Sequence, residues 1–216
     1  MRAVVMRQFG GPEVLRLEEV PTPTPGPGEA LVRVGAVSVN RSFDIKVRED
    51  GNGRDPLMPL VLGNDPAGEV VAIGPGVRDV RVGDHVAAWR SIPCGQCERC
   101  RQNQPDHCLH KRMLGVHRWG GYAEYVSAPE SALQVIPDDL SFAEAAVVLR
   151  HFPTAIALAH GRACLQAGET ALVMGAAGGL GSALVQVARL AGARVIPPPA
   201  ATSVWPPPSR WAPRPA

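Results

Sequence analysis

The stretch Cys94-Gly95-Gln96-Cys97-Glu98-Arg99-Cys100 places three thiols two residues apart, and Cys108 follows after seven more residues. Four thiolates at this spacing can surround one tetrahedral cation, and four such ligands leave no open coordination position. A closed site of this kind is typical of structural zinc and not of catalytic zinc. The sequence therefore predicts one structural zinc ion per chain, held by Cys94, Cys97, Cys100 and Cys108.

Other uses of these cysteines remain as alternatives. An iron–sulfur cluster is one, but in the bacterial ferredoxin pattern the fourth cysteine comes after three residues and is followed by Pro, whereas Leu109 follows Cys108 here. Disulfides or free thiols are another. His107 and His110 could replace a cysteine as ligands, although with four thiols present ordinary loop roles are expected for both.

Composition and charge exclude several classes of protein. The 216 residues carry a formal net charge of +2, with basic residues scattered among acidic ones, so a nucleic-acid partner is not expected. The N-terminus has no secretory apolar region, and no run approaches the ~20 apolar residues of a membrane span. We expect a soluble, cytoplasmic protein without a membrane partner, in which crowded cysteines favour metal binding over disulfides. Cys164 stands alone and is expected to be a small buried hydrophobe.

The first part of the chain consists of short apolar segments broken by Gly and Pro. Their period of about two and the frequent turn signals favour an all-β, barrel-like unit. The expected strands are Ala3–Met6, Val14–Leu17, Ala30–Val39, Gly68–Ile73, Asp84–Trp89, Gly121–Val126 and Ala132–Ile136.

The pattern changes at Ser141, because Ser141-Phe142-Ala143-Glu144 is a capping box in front of an apolar helical run. Residues 169–174 then indicate a buried strand. An apolar stripe at helical spacing follows from Leu180 to Ala191, and Gly192 is expected to close that helix. A further strand begins at Ala193.

Between the strand and the helix lies a glycine-rich turn. Small residues let a backbone approach a pyrophosphate, and the helix N-terminus supplies N–H donors there. The turn therefore predicts a dinucleotide site, the alternative being a tight β–α turn that binds nothing. Its residues are Gly175, Ala176, Ala177, Gly178, Gly179, Leu180 and Gly181.

The C-terminal part departs from this organisation. Repeated prolines over residues 197–216 can neither continue a helix nor donate to a sheet, so a disordered tail is expected there. Only one strand–helix–strand unit lies between residues 169 and 196, whereas a dinucleotide fold needs two βαβαβ halves. The nucleotide-binding fold is thus expected to be incomplete, and the choice between NAD and NADP cannot be made from it.

The order of these features resembles the zinc-containing medium-chain dehydrogenase/reductase superfamily over residues 1–196. Further landmarks are Gly83-Asp84-His85-Val86 and residues 120–126, Gly-Gly-Tyr-Ala-Glu-Tyr-Val. The resemblance implies an α/β protein with a large β part. A GroES-like β-barrel domain would occupy residues 1–140 with a zinc lobe at about 90–115. The start of a Rossmann NAD(P)-binding domain would occupy residues 141–196.

Departures from the family pattern imply a subfamily. Alcohol dehydrogenases of this type carry Gly-His-Glu where this sequence has Gly63-Asn64-Asp65, and a ligating cysteine where it has Asn40-Arg41. The third catalytic ligand would fall near Arg150. A cation beside a divalent metal is electrostatically unfavourable, so no catalytic zinc is expected. The sequence is more similar to quinone oxidoreductase and enoyl reductase relatives.

The resemblance also implies a function. Hydride would pass from NADP(H) or NAD(H) to a quinone, an enone or a related small carbonyl compound. Asn40 is the candidate catalytic residue lining the acceptor cleft, and Thr154 is the candidate cofactor contact. Structural roles, capping of a strand end by Asn40 and a satisfied helix position for Thr154, are the alternatives. For full-length relatives, but not for this chain, the resemblance implies that a homo-oligomer can form. The alternative for the whole chain is a catalytically inactive, truncated zinc-binding remnant.

Overall fold

The computed structural model describes residues 1–196, so the disordered tail expected over residues 197–216 lies outside the described residues. The chain divides into two compact units, Met1–Leu149 and Arg150–Ala216. The strands in chain order are β1 (Arg2–Met6), β2 (Arg16–Glu19), β3 (Glu29–Val37), β4 (Leu60–Val61), β5 (Pro66–Ile73), β6 (His85–Ala88), β7 (Ser91–Ile92), β8 (Arg112–Met113), β9 (Tyr125–Pro129), β10 (Leu133–Val135), β11 (Thr170–Leu172) and β12 (Arg194–Ile196). The helices are α1 (Asp44–Asp50), α2 (Glu98–Arg101), α3 (Phe142–Ile156) and α4 (Gly179–Leu190).

The centre of the first unit is a five-stranded sheet with the order β10-β6-β5-β3-β9, in which all neighbours are antiparallel. Apolar side chains on one face of these strands form the core; among them Val32, Val70, Val86 and Val126 are each at most 2% exposed. The register of β3 against β5 shifts at two points, as at β-bulges. Bulges of this kind bend a strand, which lets the sheet curl around its core.

A second, three-stranded sheet has the order β2-β1-β4. Its strand β1 also contacts the segment before β9 through the pair Ala3 and Ala123. A separate core of Met6, Leu60, Leu62 and Val116 fills the space beside it and includes Phe43 and Val47 from around α1. The β-rich first unit, followed by a strand–helix–strand unit, confirms the predicted class of α/β with a large β part.

Some predicted elements are displaced or were missed. The strand expected at Val14–Leu17 begins two residues later, because Pro12–Val14 forms a 3-10 turn with Pro at its start. The helix α1 was not predicted. Only Asp44 and Val47 of α1 are buried, so its sequence carries no apolar stripe of the helical period.

The helix α3 begins with the predicted capping box, which the structure confirms. The backbone N–H of Ser141 donates to Oε2 of Glu144 at 3.1 Å, and the backbone N–H of Glu144 donates to Oγ of Ser141 at 3.3 Å. After Pro153 the helix widens into a π-helical segment, Ala157–Arg162. By length and composition alone, Phe142–Arg162 is the one helical segment of the described residues that could cross a membrane.

The described part of the second unit contains a strand–helix–strand motif in which β11 and β12 pair in parallel. Between them, α4 buries Ala183, Val185, Val187 and Ala188, and this confirms the predicted apolar stripe. The helix ends before Gly192, whose φ of +79° is the left-handed conformation that glycine adopts at low cost.

Two burial predictions in this unit are wrong. The segment at residues 169–174 was expected to be a buried strand, but Leu172 is 62% exposed and Met174 is 72% exposed, while Val173 alone is buried against α4. Within the described residues β11 has only β12 as a neighbouring strand, so one face of the pair lacks the helix layer that buries a parallel sheet. Cys164 is exposed at a turn with φ of +49°, not buried.

Candidate functional site

The four predicted zinc ligands come together in a lobe that begins at β7 and ends at β8. Pairing of Ile92 with Arg112 closes the base of this lobe, and α2 presents Cys100 from its single turn. The sulfur atoms of Cys97 and Cys100 are 3.5 Å apart, those of Cys97 and Cys108 are 3.9 Å apart, and all four lie within 4.8 Å of one another. Four thiolates about 2.3 Å from one tetrahedral zinc ion would be about 3.8 Å apart. The cluster can therefore hold a metal ion.

Backbone N–H groups favour ionised sulfur in this lobe. The N–H of Cys94 donates to Sγ of Cys108 at 3.2 Å, and the N–H of Cys97 donates to Sγ of Cys94 at 3.3 Å. Backbone donors from Cys100 and Leu109 lower the pKa of the Cys97 thiol to about 6. Loss of solvation and the neighbouring thiols raise the pKa of Cys100 to about 12. A divalent cation is what would allow all four to be thiolates together.

The alternative ligands lie outside this sulfur cluster. His107 and His110 are both exposed, and the group of possible metal ligands found in the described residues contains only the four cysteines. Two basic side chains of the lobe bind its own loop, since Arg99 donates to Gln104 and Lys111 donates to the carbonyl of Asp106. The donor set of this cluster is four sulfur atoms.

A buried polar cluster surrounds the candidate residue Asn40, which is half-buried. The backbone N–H of Asn40 donates to Oδ2 of Asp44 at 2.6 Å, and the hydroxyl of Tyr122 donates to the same oxygen at 2.8 Å. The hydroxyl of Ser38 donates to Oδ2 of Asp65 at 2.7 Å. Burial, then the charges of Asp44 and Asp65, raise the pKa of Tyr122, so its hydroxyl stays protonated.

Asn64 is a member of this region that sequence reasoning did not select. Its side chain is 0% exposed, and neither Oδ1 nor Nδ2 has a hydrogen-bond partner within the described residues. Gly63 packs against the ring of Tyr122, and Asp65 lies close enough to affect its pKa, so Asn64 is flanked by residues of the same cluster. The departure of Gly63-Asn64-Asp65 from Gly-His-Glu was the signal that could have identified it.

The glycine-rich turn connects β11 to α4, as predicted. Its residues are exposed apart from Ala176, which is buried, and Gly181, which is half-buried. The N–H of Gly178 donates to the carbonyl of Gly175 at 2.9 Å. Gly178 then precedes α4 without a side-chain cap, and Gly179 and Leu180 at the start of α4 are exposed. Such a helix start can accept an anionic group.

The predicted cofactor contact Thr154 lies on α3 with its side chain exposed. Ala155, the next residue, is fully buried and packs in one cluster with Ala183 and Val187 of α4. The helix α3 is thereby fixed against α4 in the second unit. Thr154 therefore sits at the edge of the face that contacts α4.

Comparison with known proteins identifies the class to which this fold and these sites belong. Residues 26–138, more than half of the chain, match the family model of the alcohol dehydrogenase GroES-like domain. The antiparallel first unit is therefore a GroES-like domain of the alcohol dehydrogenase type.

Relatives and solved structures extend this match into the second unit. A quinone oxidoreductase of Sus scrofa is 33% identical over 91% of this chain and 52% of its own length. A solved NAD-dependent alcohol dehydrogenase is 44% identical, with a TM-score of 0.85 over 91% of this chain and 57% of that one. A cobalt- and zinc-bound thermostable alcohol dehydrogenase from Pyrobaculum aerophilum is 36% identical, with a TM-score of 0.82 over 91% of this chain and 59% of that one.

The chain belongs to the zinc-type medium-chain dehydrogenase/reductase superfamily, a group of oxidoreductases that act on small molecules. The expected family and the GroES-like domain followed by a Rossmann opening are thus confirmed. The chain spans about half the length of the curated relatives it matches.

Proposed function

We propose that Cys94, Cys97, Cys100 and Cys108 hold one structural zinc ion. Three of the sulfur–sulfur distances are 3.5 to 4.0 Å, close to the edges of a zinc–thiolate tetrahedron, and all four sulfur atoms lie within 4.8 Å of one another, which supports this proposal. The N–H donors to sulfur support it further, because they stabilise thiolates and orient them. Zinc bound here would cross-link the lobe and leave no position for a substrate.

We also propose that the protein is an NAD(P)H-dependent reductase of a quinone, an enone or a related carbonyl compound, and that it works without catalytic zinc. The observation that carries this proposal is the polar cluster of Asn40, Asp44 and Tyr122, which offers amide and hydroxyl groups and no thiolate or imidazole. Amide N–H donors can polarise an acceptor carbonyl by hydrogen bonding. When bound, NAD(P)H supplies the hydride.

Asn40 would position the acceptor in this proposal. Its backbone N–H donates to the carboxylate of Asp44. The hydroxyl of Ser42 donates to Oδ1 of Asn40 at 3.3 Å. With Oδ1 used as an acceptor, Nδ2 is the donor end of the amide. Tyr122 would keep Asp44, and through it the Asn40 backbone, in place.

The cofactor would bind at residues 175–181 with Thr154 as a further contact. The backbone N–H groups at the start of α4, where there is no side-chain cap, suit a pyrophosphate. In this proposal the GroES-like domain covers residues 1–140 and the nucleotide fold begins at residue 141. A cytoplasmic location, where thiols stay reduced, suits the zinc lobe, and a homo-oligomer formed through a complete nucleotide domain suits the family.

NADPH oxidation with a quinone acceptor tests the reductase proposal. Asn40→Ala should lower kcat/KM by about 100-fold, as expected for loss of one preorganised donor, while Gln134→Ala on exposed β10 should leave it unchanged. Equal activities of Asn40→Ala and wild type would contradict the role of Asn40.

A second candidate is a zinc-binding chain that turns over no substrate. The observation in its favour is that the described nucleotide-fold part contains only β11, α4 and β12. Calorimetry distinguishes the two proposals. One zinc per chain without NADPH binding supports the second candidate, and NADPH binding with turnover of the same sample excludes it.

A further inference from the structure

One histidine lies directly against the glycine-rich turn of the second unit. A Cβ atom built on Gly179 would lie 2.5 Å from Nε2 and 2.7 Å from Cε1 of His151. No side chain fits at position 179 without moving this ring, so the glycine makes room for the imidazole. His151 therefore lies at the first residue of α4, a helix start that has no side-chain cap.

The packing of α3 on α4 explains why the ring takes this position. Ala155 follows His151 by four residues, so the two share one face of α3. Ala155 is fully buried in a cluster with Ala183 and Val187 of α4. The contact that fixes Ala155 against the middle of α4 thus places His151 over its N-terminus. The exposed Thr154, three residues after His151, flanks the same face.

The charged groups around His151 are few and positive. Arg150 is adjacent on α3, the first turn of α4 contains no acidic residue, and no Asp or Glu follows Glu169 in the chain. Burial, and then the charge of Arg150, lower the pKa of His151. At neutral pH and without a ligand, the imidazole is therefore neutral.

We propose that His151 contacts the pyrophosphate of the bound dinucleotide and takes up a proton as that cofactor binds. The inference rests on the proposed function, in which the glycine-rich turn is the cofactor site. The two phosphate charges would oppose the effects of burial and Arg150 and favour the imidazolium. Because the complex then binds more protons than the free protein, affinity rises as the pH falls toward 6.

Calorimetric titration with NADP⁺ at about pH 8 and about pH 6, on either side of the ordinary histidine pKa, tests this proposal. We expect wild-type affinity to increase several-fold more at the lower pH than that of His151→Gln. Both proteins bind the same NADP⁺, so the titration of its ribose 2′-phosphate affects both affinities equally and does not contribute to the difference between them. His160→Gln, an exposed histidine in the segment that continues α3, is the matched control and should behave as wild type.

Two further measurements keep the test independent of how the variant folds. Titrations of wild-type protein in two buffers of different ionisation enthalpy should show proton uptake on binding. ADP-ribose, which has the pyrophosphate but lacks the nicotinamide, should show the same uptake. Binding of ADP-ribose, which has no ribose 2′-phosphate to titrate, without proton uptake would overturn the role of His151 alone. Failure of wild-type protein to bind any dinucleotide would instead overturn the proposed cofactor site.

Discussion

The hydroxyl of Tyr122 lies 2.8 Å from Oδ2 of Asp44, the oxygen that also accepts the backbone N–H of Asn40. Asp44 is 5% exposed, so two donors converge on one buried carboxylate oxygen. The position of Asn40 therefore depends on Tyr122, which lies 82 residues further along the chain.

Tyr122→Phe should destabilise the protein by about 1–3 kcal/mol, because it removes a donor from a buried carboxylate. Urea unfolding followed by circular dichroism measures the change. The control is Tyr125→Phe on β9, whose hydroxyl makes no hydrogen bond within residues 1–196, and it should change stability by less than about 0.5 kcal/mol. Equal effects of the two variants would show that the Tyr122 hydroxyl does not support Asp44.

Tyr122 should also make stability depend on alkaline pH. Burial and the nearby carboxylates raise its pKa above the ordinary value of 10.0. The folded state therefore holds this proton more tightly than the unfolded state, and the stabilisation is complete below pH 10 and is lost as the pH rises above that value. The slope of the unfolding free energy between about pH 10 and pH 11 should be smaller in Tyr122→Phe than in wild type.

Glu29 should make stability depend on acidic pH. Burial would raise its pKa, but hydrogen bonds from Arg118, Ser127 and the N–H of Gly26 outweigh this and lower the pKa below 4.5. The stabilisation is present above that value and is lost as the pH falls through the lowered folded-state pKa. Glu29→Gln should cost about 1–2 kcal/mol at pH 7, and the difference from wild type should shrink below about pH 4. A difference that is constant with pH would exclude this network as its cause.

Cys100→Ser should remove the bound zinc, while Cys164→Ser, which changes an exposed cysteine outside the lobe, should retain one zinc per chain. Elemental analysis of the purified proteins measures this. Hydrogen exchange should increase over residues 94–108 in Cys100→Ser, while β3 and β5 stay protected, because the four cysteines lie outside the core that Ile92 and Leu114 form with those strands. Full zinc content in Cys100→Ser would contradict the four-thiolate site.

Asn64→Leu should leave the unfolding free energy within about 1 kcal/mol of wild type, because it replaces an amide that has no hydrogen-bond partner within residues 1–196 by an apolar group of the same branched shape. Ser38→Ala should lower stability by about 1 kcal/mol by removing the bond to Asp65. Thermal or urea unfolding measures both. A loss above about 2 kcal/mol in Asn64→Leu would mean that internal water molecules satisfy the amide.

Local patterns were enough to predict the elements whose signals are continuous in the sequence. The capping box at Ser141, the apolar stripe of α4 and the helix stop at Gly192 each depend on residues a few positions apart, and the structure confirms them. The four cysteines form their cluster for the same reason, since all lie within residues 94–108.

The cluster around Asn40 could not be predicted in this way. Asp44, Asn64 and Tyr122 come from three distant segments, and only the folded sheet brings them together. The exposure of Leu172 and Cys164 was also missed, because the sequence pattern of a buried strand is the same whether or not its second face is covered. Burial depends on the neighbouring elements, which are not encoded in the segment itself.

The closing of the lobe by β7 and β8 has a consequence for folding. Residues 94 to 108 form a short loop, so bridging its ends costs little chain entropy and can occur before the long-range pairing of β3 with β5 and β9. A metal ion bound there would limit the motion of a few residues and add little to the cooperativity of the whole domain. The loop of residues 94–108, which lies outside the core that Ile92 and Leu114 share with the sheet, would thus be able to lose its cation and regain it while the five-stranded sheet stays native.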